Sequence, residues 1–289
     1  MDELAGISHR PAPCNRFGAP ALGAPPTMKR IASRSVLAAL AVLLAAAVAT
    51  ESAAQTGAQG YPARPLRFVS PFSPGGTTDT LARLIGQKLT ETWGQSVVIE
   101  NRPGAGGTIG AEAVARAAPD GYTLLLTSVG AHAVSPALRS KLAYDAVRDF
   151  SPITQVASGN NILVVHPSLP VRSVQELISF ARKKPGQLTF ASGGHGTSPH
   201  MGGELFKSLA RVDMIHVPYK GGGPAAIALL SGEVSLSFGS IATVLPQVRA
   251  GKLRALAVTG RARSSAVPDL PTIAEAGVAG YELNSWYGV

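Results

Sequence analysis

Two short stretches bring glycines and hydroxyl side chains together where a strand-like run gives way to a helix-like one: PFSPGGTTD at residues 71–79 and SGGHGTSPH at residues 192–200. The start of a helix carries unpaired N–H groups and a partial positive charge, and glycine lets that backbone approach an anion closely. The chemistry such a loop offers is a seat for a carboxylate or phosphate that needs no arginine. In the first loop the candidate contacts are Phe72, Ser73, Gly75, Gly76, Thr77, Thr78 and Asp79; in the second they are Ser192, Gly194, Gly196, Thr197, Ser198 and His200. Four or five charge-assisted hydrogen bonds at about 1.5–3 kcal/mol each cover the roughly 8 kcal/mol of a micromolar complex. Singly, each loop reads equally well as a plain βα connection. Together, at the carboxyl ends of strands in two open α/β units, they would face one crevice, which an anion with two carboxylates would bridge.

Other constellations carry less. The run Gly104-x-Gly106-Gly107-x-x-Gly110 has the wrong spacing for a dinucleotide fingerprint and follows a second strand, so it reads as a capped helix start. His195 and His200 lack an HExxH pattern or a carboxylate cluster, while His166 and His216 fall at strand ends elsewhere; loop polarity accounts for them, and no metal or cofactor is expected. Lys220, in PYKGGG, either neutralises a ligand carboxylate or caps a turn. Neither a GxSxG elbow nor a Walker A loop occurs, so no catalytic residue is expected.

The elements that must position these loops alternate. Strands are expected at 66–70, 97–100 and 122–127, with helices from about Thr78 and over 108–117; the first helix should bury Leu81, Leu84, Ile85, Leu89 and Trp93. A second series has strands at 162–166, 188–192, 213–217 and 234–238, a helix opened by the capping box Ser173-x-x-Glu176, and helices at 201–209 and from Pro224. A return strand at 253–258 and a segment at 281–288 follow. This is an α/β chain with two units in series, each a mostly parallel sheet flanked by helices.

Composition fits that picture. The 289 residues are 45% hydrophobic and 15% charged, a globular balance, and one cysteine excludes a disulfide framework. Met28-Lys29-Arg30 and Arg34 precede an apolar run of 14 residues, 36–49, too short to span a bilayer, and Ser52-Ala53-Ala54 supplies a cleavage site. Residues 28–54 therefore read as a signal peptide cut after Ala54. The 27 residues before Met28, with five prolines, read as an upstream extension from a misassigned start. Five of the 26 Lys+Arg and three of the 17 Asp+Glu precede Gln55, leaving a thiol-free exported chain of net charge +7. That charge is scattered, with Arg182-Lys183-Lys184 the only triplet, which argues against nucleic acid and leaves a mild bias toward anionic partners.

At YPARPLRFVSPFSPGGTTD, VVIENRPGAGGTIGAEAVARAAPDGYTLLLTS, SGGHGTSPHMGGELF, VPYKGGGPA, and LRALAVTG through PDLPTIAEAG, the chain resembles the tripartite tricarboxylate transporter substrate-binding proteins, the Bug family of periplasmic solute receptors. The resemblance spans most of the exported chain in order. It implies a two-domain periplasmic-binding-protein (Venus-flytrap) fold: residues 55–157 and 258–289 as domain 1, residues 158–257 as domain 2, hinges near 155–161 and 255–260. It implies a monomeric periplasmic receptor that delivers a small mono-, di- or tricarboxylate to a permease. The same carry-over adds Thr127, Ser128, Tyr219, Gly221 and Ser240 to the ligand contacts. Two departures stand out. Relatives continue past the WYG segment, so domain 1 is expected to be incomplete at Val289, and Gly239-Ser240 stands where relatives often carry an acid, which leaves selectivity for amino-group ligands open. The alternatives are an exported α/β serine hydrolase using Ser192 or Ser198 with His200, and a ligand-dependent docking protein for a sensor kinase.

Overall fold

The computed structural model describes residues 60–289. The signal segment 28–54, its cleavage site, the upstream extension and Cys14 lie outside the described residues. Among the described residues no helix is long and apolar enough to cross a membrane.

The chain begins with β1 (Leu66–Ser70), buried at Leu66, Phe68, Val69 and Ser70. Then come α1 (Thr77–Trp93), β2 (Val97–Asn101), α2 (Thr108–Ala115) and β3 (Thr123–Leu125), giving a parallel sheet in the order β2-β1-β3. The helix α1 does not bury the expected stripe. Its buried residues are Thr78, Asp79, Ala82 and Gly86, while Leu84 is 57% and Trp93 36% exposed. Gly86 is the cause. A Cβ there would come within 2.8 Å of Ile99 Cδ1, so the helix lies on its small-residue ridge, with Leu81 and Ile85 packed at the edges.

The strand expected at 122–127 is broken at Leu126, whose N–H bonds Val69 O. Its last residues form β4 (Thr127–Ser128), which leaves the first sheet. There follow α3 (Ser135–Leu138), β5 (Gln155–Val165), α4 (Val174–Lys183), β6 (Thr189–Ser192), α5 (Ser198–Ala210), β7 (Ile215–Pro218), α6 (Gly222–Leu230), β8 (Leu236–Ser240), α7 (Ile241–Arg249), β9 (Arg254–Val258) and β10 (Asn284–Gly288). These strands form the order β4-β10-β5-β8-β6-β7, with β9 paired to β5. The strands β6, β7 and β8 run parallel; β5 is antiparallel to β8, β9 and β10.

The long strand β5 extends well before the expected 162–166, because its polar first half is held by a ladder to β10 and not by an apolar run. Its residues 155–160 pair with β10, and from Asn161 onward it pairs with β8 and from Ile162 with β9. At the changeover Thr259 is fully buried: Oγ1 accepts from Asn161 N at 2.8 Å and donates to Leu283 O at 2.9 Å.

Side-chain alternation along β5 fills both faces of this sheet. Leu163 and Val165 enter a core with Leu177, Phe190, Phe206, Met214, Phe238 and Tyr281; Ile162 and Val164 enter another with Ala228, Leu229 and Val244. The helix α4 is capped as expected, with Ser173 Oγ accepting from Glu176 N at 3.1 Å. Phe206 is fully buried in the larger core. Phe206→Ala should lower unfolding stability by about 3–5 kcal/mol in urea titrations followed by circular dichroism. A loss below about 1 kcal/mol would mean that this ring does not fill the core as described.

Candidate functional site

Where the carboxyl end of β1 meets those of β6, β7 and β8 there is a cavity of about 70 Å³, room for several waters or a small organic acid. Four helices begin on it. Gly76, Thr77 and Thr78 line it from α1, Thr197, Ser198 and Pro199 from α5, Gly222, Ala225 and Ala226 from α6, and Ser240, Thr243 and Val244 from α7. The residues preceding these helices are Gly76, Thr197, Gly221 and Ser240, and none makes a side-chain capping hydrogen bond. The N–H groups of four helix starts are thus left without a capping acceptor beside one small space. Phe72, Ser128, Ser192, Gly193, Ser237, Gly239, Ser285 and Tyr287 complete the lining, which contains no carboxylate, ammonium, guanidinium or imidazole. Its field comes from peptide dipoles and hydroxyls, and the sign favours an anion.

The first loop is built around Asp79. Its carboxylate accepts from Gly75 N at 3.1 Å, Arg83 Nε at 3.0 Å and Asn101 Nδ2 at 2.9 Å, and Asn101 Nδ2 also reaches Phe72 O at 3.0 Å. Burial alone would raise this carboxyl's pKa, but the hydrogen bonds from Arg83, Asn101 and Gly75 outweigh it and hold the group below the usual carboxylate range. Asp79 therefore fixes the loop and does not face the cavity. Thr78 Oγ1 accepts from Ser70 Oγ at 3.2 Å, so its own proton is directed elsewhere.

In the second loop Ser192 Oγ accepts from Gly194 N at 3.0 Å and shares a 2.6 Å hydrogen bond with His216 Nε2. Thr197 Oγ1 donates to Gly194 O at 2.7 Å, and Ser198 Oγ accepts from Asn161 Nδ2 at 3.2 Å. His200 does not pair with Ser192; its Nδ1 accepts the Gly196 N–H at 3.1 Å. The expected remoteness of His216 is likewise corrected. Because β7 runs beside β6 with Phe190 opposite His216, the imidazole stacks on Phe190 and meets His200 and His195 at ring distances of 4.2 and 4.9 Å. These three rings are the grouping among the described residues that could hold a metal, with ligating nitrogens within 4.8 Å of one another. His200 commits its Nδ1 lone pair to Gly196, which leaves the proton of the neutral ring on Nε2, so the trio does not present three lone pairs to one ion.

The two sides of the cavity touch. Ser73 N donates to Lys220 O at 2.9 Å, and Thr77 Oγ1 hydrogen-bonds Ser240 Oγ and, at 3.3 Å, Thr243 Oγ1. Backbone lies against backbone here: a Cβ on Gly223 would sit 2.5 Å from Pro74 O.

Of the residues expected from the sequence, Phe72, Gly76, Thr77, Thr78, Ser128, Ser192, Thr197, Ser198 and Ser240 share this cavity. Ser73, Gly75, Asp79, Thr127, Gly194, Gly196, His200, Tyr219 and Gly221 are not in its lining. Thr127 Oγ1 is taken by His132 Nδ1 at 2.7 Å, and Tyr219 Oη donates to Glu233 Oε1 at 2.7 Å. The missed residues include Gly222, Ala225 and Ala226 on α6 and Thr243 and Val244 on α7. The run GGGPAA at 221–226 signals a helix start of the same kind, and Ile241, Val244, Leu245 and Val248 keep helical spacing around Pro246.

The family described as tripartite tricarboxylate transporter family receptor matches residues 81–289. Protein BugT of Bordetella pertussis is 40% identical over 238 residues, 82% of this chain and 73% of that protein. Among solved structures, R. palustris Rpa4515 with adipate is 43% identical with a TM-score of 0.77, covering 79% of this chain and 76% of the other. MatC from Rhodopseudomonas palustris with bound malate is 38% identical with a TM-score of 0.75, covering 79% and 78%.

The histidine group sets an acid response. Burial, then the neighbouring His200, His195 and Lys207, push the His216 imidazole down to about 4 from an ordinary value near 6.5. The unfolded chain takes up its proton first as pH falls, so stability is full above about pH 6.5 and declines through the window down to about pH 4. His216→Gln keeps a hydrogen-bonding partner for Ser192 and removes this titration. Its urea midpoint should fall less between pH 7 and pH 5 than that of the parent; an equal fall would assign the acid response elsewhere.

Proposed function

The chain belongs to the tripartite tricarboxylate transporter family of receptors, and from that premise we propose that it captures a small carboxylate in the cavity between its sheets and hands it, chemically unchanged, to a membrane permease. The observation that carries this reading is the convergence of four helix starts without side-chain caps on a lining that has no ionised group. Such a site binds charge through preorganised N–H donors at about 1.5–3 kcal/mol each, and its lining offers no carboxylate or imidazole to act on what it holds. Related structures hold adipate and malate, both small carboxylates.

In this reading residues 60–157 and 258–289 form one lobe and residues 158–257 the other. The strand β5 and the segment after β9 cross between them, so the Asn161–Thr259 junction is the hinge about which the lobes close. Export to the periplasm, with cleavage after Ala54, fits a receptor of this family; a relative, BugD, is a periplasmic binding protein. Monomeric action is part of the same proposal.

The hydrolase alternative draws on the Ser192–His216 hydrogen bond. A base with its pKa near 4 takes up a serine proton poorly at neutral pH, and the Ser192 side chain is fully buried. Both features suit a structural pair.

Calorimetric titration of the purified protein with mono-, di- and tricarboxylates, adipate and malate included, tests the proposal. One or more should bind with unit stoichiometry. Thr78→Ala and Ser198→Ala should each weaken that binding about tenfold with little change in melting temperature. Silence across the panel, or unaltered affinity in both variants, would end this reading.

A further inference from the structure

A second cavity, of about 150 Å³, lies beside the first and differs from it in character. One wall is Gly104, Ala105 and Gly106 with Arg139; the other is Gly194 and His195 of the β6–α5 loop with Pro218, Tyr219 and Lys220 of the β7–α6 loop. No carboxylate lines it. Among the described residues, neither Arg139 nor Lys220 forms an ion pair, although nine such pairs occur elsewhere. Glu233, a carboxylate bonded to a lining residue, accepts from the Tyr219 hydroxyl.

Of the two cations, Arg139 is anchored through its side chain. Arg139 Nη2 donates to Ala105 O at 3.1 Å, which sets the guanidinium at the rim and leaves its other N–H groups available. Ala105 is one of two non-glycine residues among those described with positive φ, at 48°, and Gly106 and Gly107 continue in that region at 70° and 97°. Backbone strain of this kind persists where the surroundings enforce it. Here the enforcing contact is across the cavity: any Cβ on Gly106 would collide with His195 O. The backbone of Lys220 is tied to the first loop through its carbonyl, which accepts the Ser73 N–H at 2.9 Å.

We propose that this second cavity is an anion site in its own right, taking a compact oxyanion of the phosphate type between Arg139 and Lys220. Its walls come from segments on opposite sides of the cleft, so an occupant binds only while the two sides are together and favours the shut form. The inference goes beyond the carboxylate reading and does not require it, since Thr78 and Ser198 line the other cavity.

Inorganic phosphate is the probe, added to the full chain in a zwitterionic buffer without other oxyanions, with melting temperature and calorimetric heat as readouts. Melting should rise saturably with phosphate and not with sodium chloride of equal ionic strength. Arg139→Gln with Lys220→Gln should weaken the phosphate response at least tenfold, while Thr78→Ala should retain it. The charge-conserving Arg139→Lys and Lys220→Arg variants should keep most of the response, which separates loss of charge from a folding defect in the doubly substituted protein. An equal rise with chloride overturns the proposal. So does a phosphate response that survives the double substitution but disappears in Thr78→Ala, since phosphate would then occupy the first cavity; that result would leave the carboxylate reading standing.

Discussion

Everything in this molecule answers to one electrostatic arrangement: the amino ends of α1, α5, α6 and α7 meet at a small space from which ionised side chains are excluded. Peptide dipoles are fixed by the fold, so such a space is ready for negative charge before any arrives, and it pays little reorganisation when it does. The cost is structural. Helix starts can converge only if the strands preceding them end at the same level, and β1 belongs to a different sheet from β6, β7 and β8. The crossing strand β5 and the buried Thr259 junction hold the two sheets in that register.

The loops between strand and helix are stiffened by polar groups that, Ser192 apart, lie outside the cavity lining. Asp79 gathers the first loop through Gly75, Arg83 and Asn101, and Ser192 with His216 does the same for the second. Asp79 and His216 are titratable groups held outside the lining, which places their pH sensitivity in the scaffold. Close backbone contact, as between Gly223 and Pro74, then allows the two sides to meet without an intervening layer of side chains.

Much of this was legible in the residues. Glycine and hydroxyl residues at a strand-to-helix junction have few purposes, and Thr77, Thr78, Thr197 and Ser198 lie where that logic put them. The errors came from side-chain direction and from long-range pairing. Asp79 and Tyr219 sit in the right loops, but Asn101 and Glu233, distant in sequence, turn them away from the cavity. His216 joined His200 only through the parallel register of β6 and β7, which no local pattern encodes. The polar half of β5 lacked apolar periodicity, Pro246 hid the helical spacing of Ile241, Val244, Leu245 and Val248 in α7, and Leu84 and Trp93 misled because Gly86 lets the sheet approach a different ridge of α1.

A pocket walled without carboxylate, ammonium, guanidinium or imidazole groups has a further effect. No ionised side chain in its lining neutralises what enters, so in the proposed reading the filled protein carries the whole negative charge of its guest. A divalent guest would move the protein's net charge by two units while burying that charge, altering its electrophoretic and ion-exchange behaviour without any chemical modification. Loading would thus be written into the molecule's net charge as well as its shape.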